Sequence, residues 1–156
     1  MKCRNCNKTF NFITKALLYD EATGSSKSCL KSNLATFAQT YHSALQQAPL
    51  PTREDIQAVA DQALALGLEP RDAFQHMQQE SIDLLKRAFV ISKEGDIITP
   101  EEEEYLHMLQ RELHVPPDYY AAIQAEVRYI KLIQQIRSGD LPTVRPSVIL
   151  PSTEIC

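Results

Sequence analysis

The side chains best suited to chemistry stand at the start of the chain, where Cys3-Arg4-Asn5-Cys6 sets two residues between two thiols. That spacing lets a tight turn aim both sulfurs at one ion, as in a zinc knuckle. Cys29 follows the Thr23-Gly24-Ser25-Ser26 turn and offers a third thiolate. A four-cysteine ribbon would repeat the CxxC pair, but Cys29-Leu30-Lys31-Ser32 ends in serine, a poor zinc ligand. His42 can complete a Cys3, Cys6, Cys29 and His42 set if the helix start folds back, and Cys156 is a second candidate; water or no ligand stays open too. Zinc is the expected cofactor. The alternatives are a ribbon that has lost its metal and a set of ordinary reduced cysteines in a loop. A thioredoxin-like redox role fits less well, because no βαβ pattern surrounds the motif.

A second constellation is the acidic turn Ser92-Lys93-Glu94-Gly95-Asp96-Ile97-Ile98-Thr99-Pro100-Glu101-Glu102. With Gly95 at position 6 of a calcium loop, Ile97 and Glu101 agree with positions 8 and 12. Positions 1, 3 and 5 then fall on Val90, Ser92 and Glu94, so the anchoring carboxylate of the first position is missing. Glu101 to Glu104 also sit where a helix would begin, and matching the helix dipole explains four carboxylates there without a metal. His42, His76, His107 and His114 are scattered, and no HExxH, GxSxG, phosphate-loop or dinucleotide glycine pattern occurs. The expectation is a protein that is not an enzyme.

Charge separates the two ends. Residues 1–33 carry a net +4 and the remainder a net −8. Lys2, Arg4 and Lys8, with Phe10 or Phe12, are candidates for contact with phosphates and bases, although the acidic body counts against nucleic acid as the main partner. No apolar run approaches the length of a membrane span, and no signal-peptide core is visible, so a cytoplasmic protein is expected.

The elements that must position these residues are helices. Leu34, Phe37, Tyr41 and Leu45 share one face of a helix from Ser32 or Asn33 to Gln46, and Ala48-Pro49-Leu50-Pro51 ends it. A second helix opens at Thr52-Arg53-Glu54-Asp55, a capping-box variant, buries Ile56, Val59, Ala60, Ala63 and Leu64, and stops at Gly67. A third is expected from Pro70 to Ile91, with Phe74, Met77, Ile82, Leu85, Ala88 and Phe89 inward. Thr99, Pro100 and Glu102 form a capping box for the fourth, which buries Tyr105, Leu106, Leu109 and Leu113. The fifth runs from about Pro117 to Ser138 with Tyr120, Ile123, Val127, Ile130, Ile133 and Ile136 buried and Gly139 as its stop. The fold class is therefore mainly α: four to five bundled helices (34–140), a zinc-ribbon-like cysteine unit (1–33) and an extended proline-containing tail (141–156). The tail is expected to be a linker into a further domain, or a strand that docks on the body.

The stretch Ala88-Phe89-Val90-Ile91-Ser92-Lys93-Glu94-Gly95-Asp96-Ile97-Ile98-Thr99-Pro100-Glu101-Glu102, followed by Leu106, Leu109 and Leu113, resembles the repeating unit of the TerB-like family, associated with tellurite resistance. The resemblance covers about residues 82–136. It implies an all-helical module within a bacterial stress-response or defence system, with a protein partner or a further C-terminal domain and no turnover of its own. It also implies metal sensing as an alternative, with Glu94, Asp96, Glu101 and Glu102 as candidates, although Lys93-Glu94-Gly95 departs from the family's usual Ala-Asp-Gly. A zinc-dependent nucleic-acid-binding regulator is the other alternative. A monomer or homodimer is expected.

Overall fold

The computed structural model describes residues 1–4, 6–11, 15, 18–21, 24–47, 49–95 and 97–139. Asp96, Phe12, Cys156 and the expected tail at 141–156 lie outside these residues. A two-stranded antiparallel ladder, β1 (Tyr19–Asp20) and β2 (Ser25–Ser26), pairs Tyr19 with Ser26 and Asp20 with Ser25. Six helices follow among the described residues: α1 (Lys27–Leu45), α2 (Arg53–Ala65), α3 (Pro70–His76), α4 (Gln78–Ser92), α5 (Pro100–Glu112) and α6 (Pro117–Ser138). The chain is mainly α, as its periodicity implies.

Capping explains where these helices begin. Thr52 accepts from the Asp55 N–H, and the Asp55 carboxylate takes the Thr52 N–H at 2.8 Å. Thr99 and Glu102 repeat this reciprocal pair at α5. At α1 the cap is Ser26, whose hydroxyl accepts from the Cys29 N–H, so the helix starts at Lys27 rather than at Ser32 or Asn33. The boundary expected between residues 33 and 34 thus falls inside a continuous helix.

The interior is one continuous cluster. Phe37 and Tyr41 of α1 meet Phe74 of α3 at centroid distances of 5.7 and 6.1 Å, both edge-on, an arrangement that suits the ring quadrupoles. Leu84 and Leu85 of α4 and Leu106 and Leu109 of α5 are fully buried in the same core. Arg87 of α4 donates to the carbonyls of Leu45 and Gln46, which closes the otherwise unpaired end of α1. Tyr105 donates to the Pro51 carbonyl at 2.7 Å and ties α5 to the α1–α2 connection.

Three expectations need correction. The single helix expected over Pro70–Ile91 is broken at Met77, whose backbone leaves the helical region, although neither glycine nor proline marks the place. The halves differ in their main neighbours: α3 packs on α1 and α2, whereas α4 packs on α5 and α6 and reaches α1 through Ser81 and Arg87. Leu64 and Ile136, expected inside, are 57% and 50% exposed. Only Tyr120 and Val127 of α6 are fully buried, because α6 leans on the bundle along part of its length. No described helix is long and apolar enough to cross a membrane.

Candidate metal centre

Cys3, Cys6 and Cys29 come together, with all three sulfurs within 4.8 Å of one another. Each is a thiol. Three local structures place them. The first is a small hairpin in which Lys2 bridges Thr9, Met1 and Phe10 exchange backbone bonds, and Cys3 N–H donates to the Lys8 carbonyl at 2.9 Å. At its tip the Asn7 N–H returns to the Cys3 carbonyl, and Asn7 adopts φ of 55°, a left-handed turn that asparagine tolerates. This turn aims Cys3 and Cys6 the same way.

The second is the joint between knuckle and ladder. Arg4 N–H donates to the Gly24 carbonyl at 3.2 Å. Gly24 has φ of +65°, and a Cβ built there would lie 3.0 Å from the Arg4 guanidinium nitrogen Nε. Glycine is required on both counts.

The third is the N-terminus of α1, where Cys29 occupies the first turn. Ser26 binds to two of the cysteines at once: its hydroxyl caps the Cys29 N–H at 3.3 Å, and its own N–H donates to the Cys3 sulfur at 3.2 Å. Donation to sulfur and the positive end of a helix both favour thiolate over thiol. The thiols oppose this in the absence of a cation. The Ser26 hydrogen bond pulls Cys29 down, but the neighbouring Cys6 and Cys3 sulfurs and desolvation outweigh it and hold Cys29 above the usual thiol range. A divalent cation at the centre removes that conflict, since it replaces mutual repulsion with three coordinate bonds.

Tetrahedral zinc with bonds of about 2.3 Å sets its sulfurs about 3.8 Å apart. Sulfurs within 4.8 Å therefore need only side-chain adjustment to close on one ion. Burial is graded around the cluster: Cys3 is fully buried, Cys29 partly exposed and Cys6 exposed. The cluster thus has a protein side and a solvent side.

Among the described residues the other candidate ligands do not join it. His42 and Cys29 lie on the same helix, thirteen residues apart, so at 1.5 Å per residue they are separated by about 20 Å. His42 is exposed, with its ring edge-on to Tyr41 at 6.1 Å, and is no part of the site. Glu94, Glu101 and Glu102 do not converge either; among the described residues the three cysteines are the sole group placed to hold an ion. Glu94 and Glu101 are exposed, and the Glu102 carboxylate serves the Thr99 cap. The acidic turn is a capped helix start, and the dipole accounts for it. Lys2, Arg4 and Lys8 are exposed around the cysteines.

Sequence reasoning reads Gly24 and Ser26 only as part of a turn and gives Asn7 no role at the site. The signals were present: a serine three residues before Cys29 matches an N-cap, and an asparagine directly after a CxxC pair suits a left-handed turn. No protein-family model matches this chain, and neither a curated protein nor a solved structure shows significant similarity to it.

Proposed function

We propose that this protein is a non-enzymatic interaction module in which zinc bound by Cys3, Cys6 and Cys29 organises the N-terminal head on a helical bundle of the TerB-like type. The convergence of three thiols, two from a knuckle and one from a helix start, carries this reading. Zinc suits the donor set because thiolates select it over calcium or magnesium, which prefer oxygen. In the TerB-like part, α4, the turn with its Thr99–Glu102 capping box, α5 and α6 supply the rigid body, and the net acidic bundle supplies the surface for a protein partner in stress response or defence.

Zinc content of protein purified without chelator tests the metal part, beside Cys3→Ser and Cys29→Ser variants. About one zinc per chain, lost in both variants, is the expected result. No zinc in fresh, reduced protein would remove the metal from this reading. The exposed Lys2, Arg4 and Lys8 favour nucleic-acid binding by the head as a second reading. It predicts affinity that falls steeply with salt and weakens when these residues become alanine.

A further inference from the structure

Four-coordinate zinc with three protein ligands keeps one corner for something else, the arrangement that separates reactive zinc sites from closed structural ones. Where that corner points, and what can fill it, follows from the residues around the three sulfurs. Cys3 is buried against Ser26, whereas Cys6 is exposed and Cys29 partly so, which puts the remaining corner on the solvent side. Ser26 cannot turn to fill it without giving up the Cys29 N–H and the 3.2 Å contact with Ser28. His42 is about 20 Å away along the helix. Among the described residues no carboxylate or imidazole stands with the cysteines.

The helix itself indicates which donor the corner suits. Ser32 follows Cys29 by three residues on α1, one turn on and on the same face, and is exposed. A cysteine at that spacing would offer a fourth sulfur; serine withholds it. This unit is rich in basic residues: Lys2, Arg4, Lys8, Lys27 and Lys31 are all exposed on it. A zinc ion with three thiolates carries a net charge of about −1, and these cations offset the added charge of a fourth anionic sulfur.

Resting on the metal-binding reading above, we propose that the fourth position of this centre is a binding site for a small thiol from solution, taken up as thiolate beside Cys6 and Ser32. Binding forms one metal–sulfur bond, displaces one water, and releases the thiol proton to solvent. No electron changes hands. The head then responds to the free-thiol level around it, with the three protein thiolates as a fixed base.

Cobalt(II) in place of zinc makes the corner visible in the full-length, reduced protein. Cobalt should first give charge-transfer and ligand-field bands of a three-sulfur site. Titration with 2-mercaptoethanol should then raise the charge-transfer intensity about 1.3-fold, four cobalt–sulfur bonds replacing three, and shift the ligand-field bands to longer wavelength. Acetate should do neither. Ser32→Cys should give the four-sulfur spectrum without added thiol and should no longer respond to it. Failure to bind cobalt at all would sink the metal-binding reading itself. Cobalt bound by three sulfurs but indifferent to thiol would overturn this inference alone. So would a four-sulfur spectrum before titration that Cys156→Ser reduces to three, since the chain would then be closing its own site. A Ser32→Cys protein that still takes up thiol would also overturn it.

Discussion

If Cys3, Cys6 and Cys29 hold a metal as proposed, removing it should loosen the head and leave the bundle standing. The continuous core draws on residues from Leu30 onward and includes none of the described residues from 1–26. Between head and body runs a cleft of about 410 Å³, lined by Asp20 on one side and by Leu68, Asp72 and Ala73 on the other. What crosses from one to the other is chiefly the first turn of α1, which Ser26 caps and on which Cys29 sits. Farther along, the Asn33 side chain donates to the Leu66 carbonyl at 2.6 Å, and Phe37 begins the buried face, so α1 is held to α2 beyond that turn.

The magnitude follows from the cap. If chelation frees the knuckle and Ser26 with it, the bundle loses about one cap, worth about 1 kcal/mol. For a domain near 100 residues that lowers the thermal midpoint by roughly 4–8 °C. Chelator treatment, or Cys29→Ser, should therefore leave most of the helical circular dichroism in place. Amide hydrogen exchange should quicken across the head and first turn of α1 and stay unchanged in α4 and α5. Global loss of helicity on chelation would refute the reasoning, because it would show that the head is part of the cooperative unit. Undiminished protection of the head would refute it from the other side.

Three further outcomes check the body. Tyr41 and Ser81 are fully buried and share a 2.9 Å hydrogen bond, so Tyr41→Phe and Ser81→Ala should each cost about 1–3 kcal/mol in urea unfolding, and the double mutant less than their sum. Thr99→Ala should cost about 1 kcal/mol by breaking the α5 capping box, with no change in metal content. Burial pushes Tyr41, Tyr105 and Tyr120 up to about 12, against the pull of Ser81 on Tyr41 and of Arg87 on Tyr105. Because the folded values exceed the unfolded value of about 10, this stabilisation is whole below pH 10 and is lost as pH rises towards 12. Ultraviolet titration should show these three phenols ionising together with alkaline unfolding; normal titration of all six in the folded protein would contradict their burial.

Local chemistry was legible in the sequence, and long-range packing much less so. Thr52 with Asp55 and Thr99 with Glu102 cap the helices that their types and spacing announce, because a capping box needs nothing beyond four consecutive residues. Gly67 and Gly139 adopt positive φ at the helix ends where their lack of a Cβ suits them. The break at Met77 has no local signal. It reflects which neighbours α3 and α4 must reach, and a period-3.6 pattern reads straight through it. Ile136 fails for a related reason: the apolar stripe of α6 continues past the point where the bundle can cover it. His42 is a candidate fourth ligand only if α1 starts at Ser32 or Asn33 and that start folds back. Once Ser26 is the cap, Cys29 and His42 belong to one rigid rod, and no folding-back can join them.

That rod is also what links the site to the rest of the molecule. Cys29 stands in the first turn of α1, while Phe37, Tyr41 and Leu45 of the same helix fill the core. A metal bound at one end therefore fixes the knuckle against an element whose orientation the core already determines. Charge adds to the effect. The head is net positive and the body net negative, so the Coulomb term between them is attractive and has little direction of its own. Three sulfurs on one ion supply the direction, since tetrahedral bonds tolerate little tilt. If the centre binds metal as proposed, an unloaded head would stay near the bundle by charge and by the chain, and a loaded one would present Lys2, Arg4 and Lys8 in a single arrangement. On the proposed reading, metal occupancy decides which surface a partner meets, and it does so without any change in the helical core.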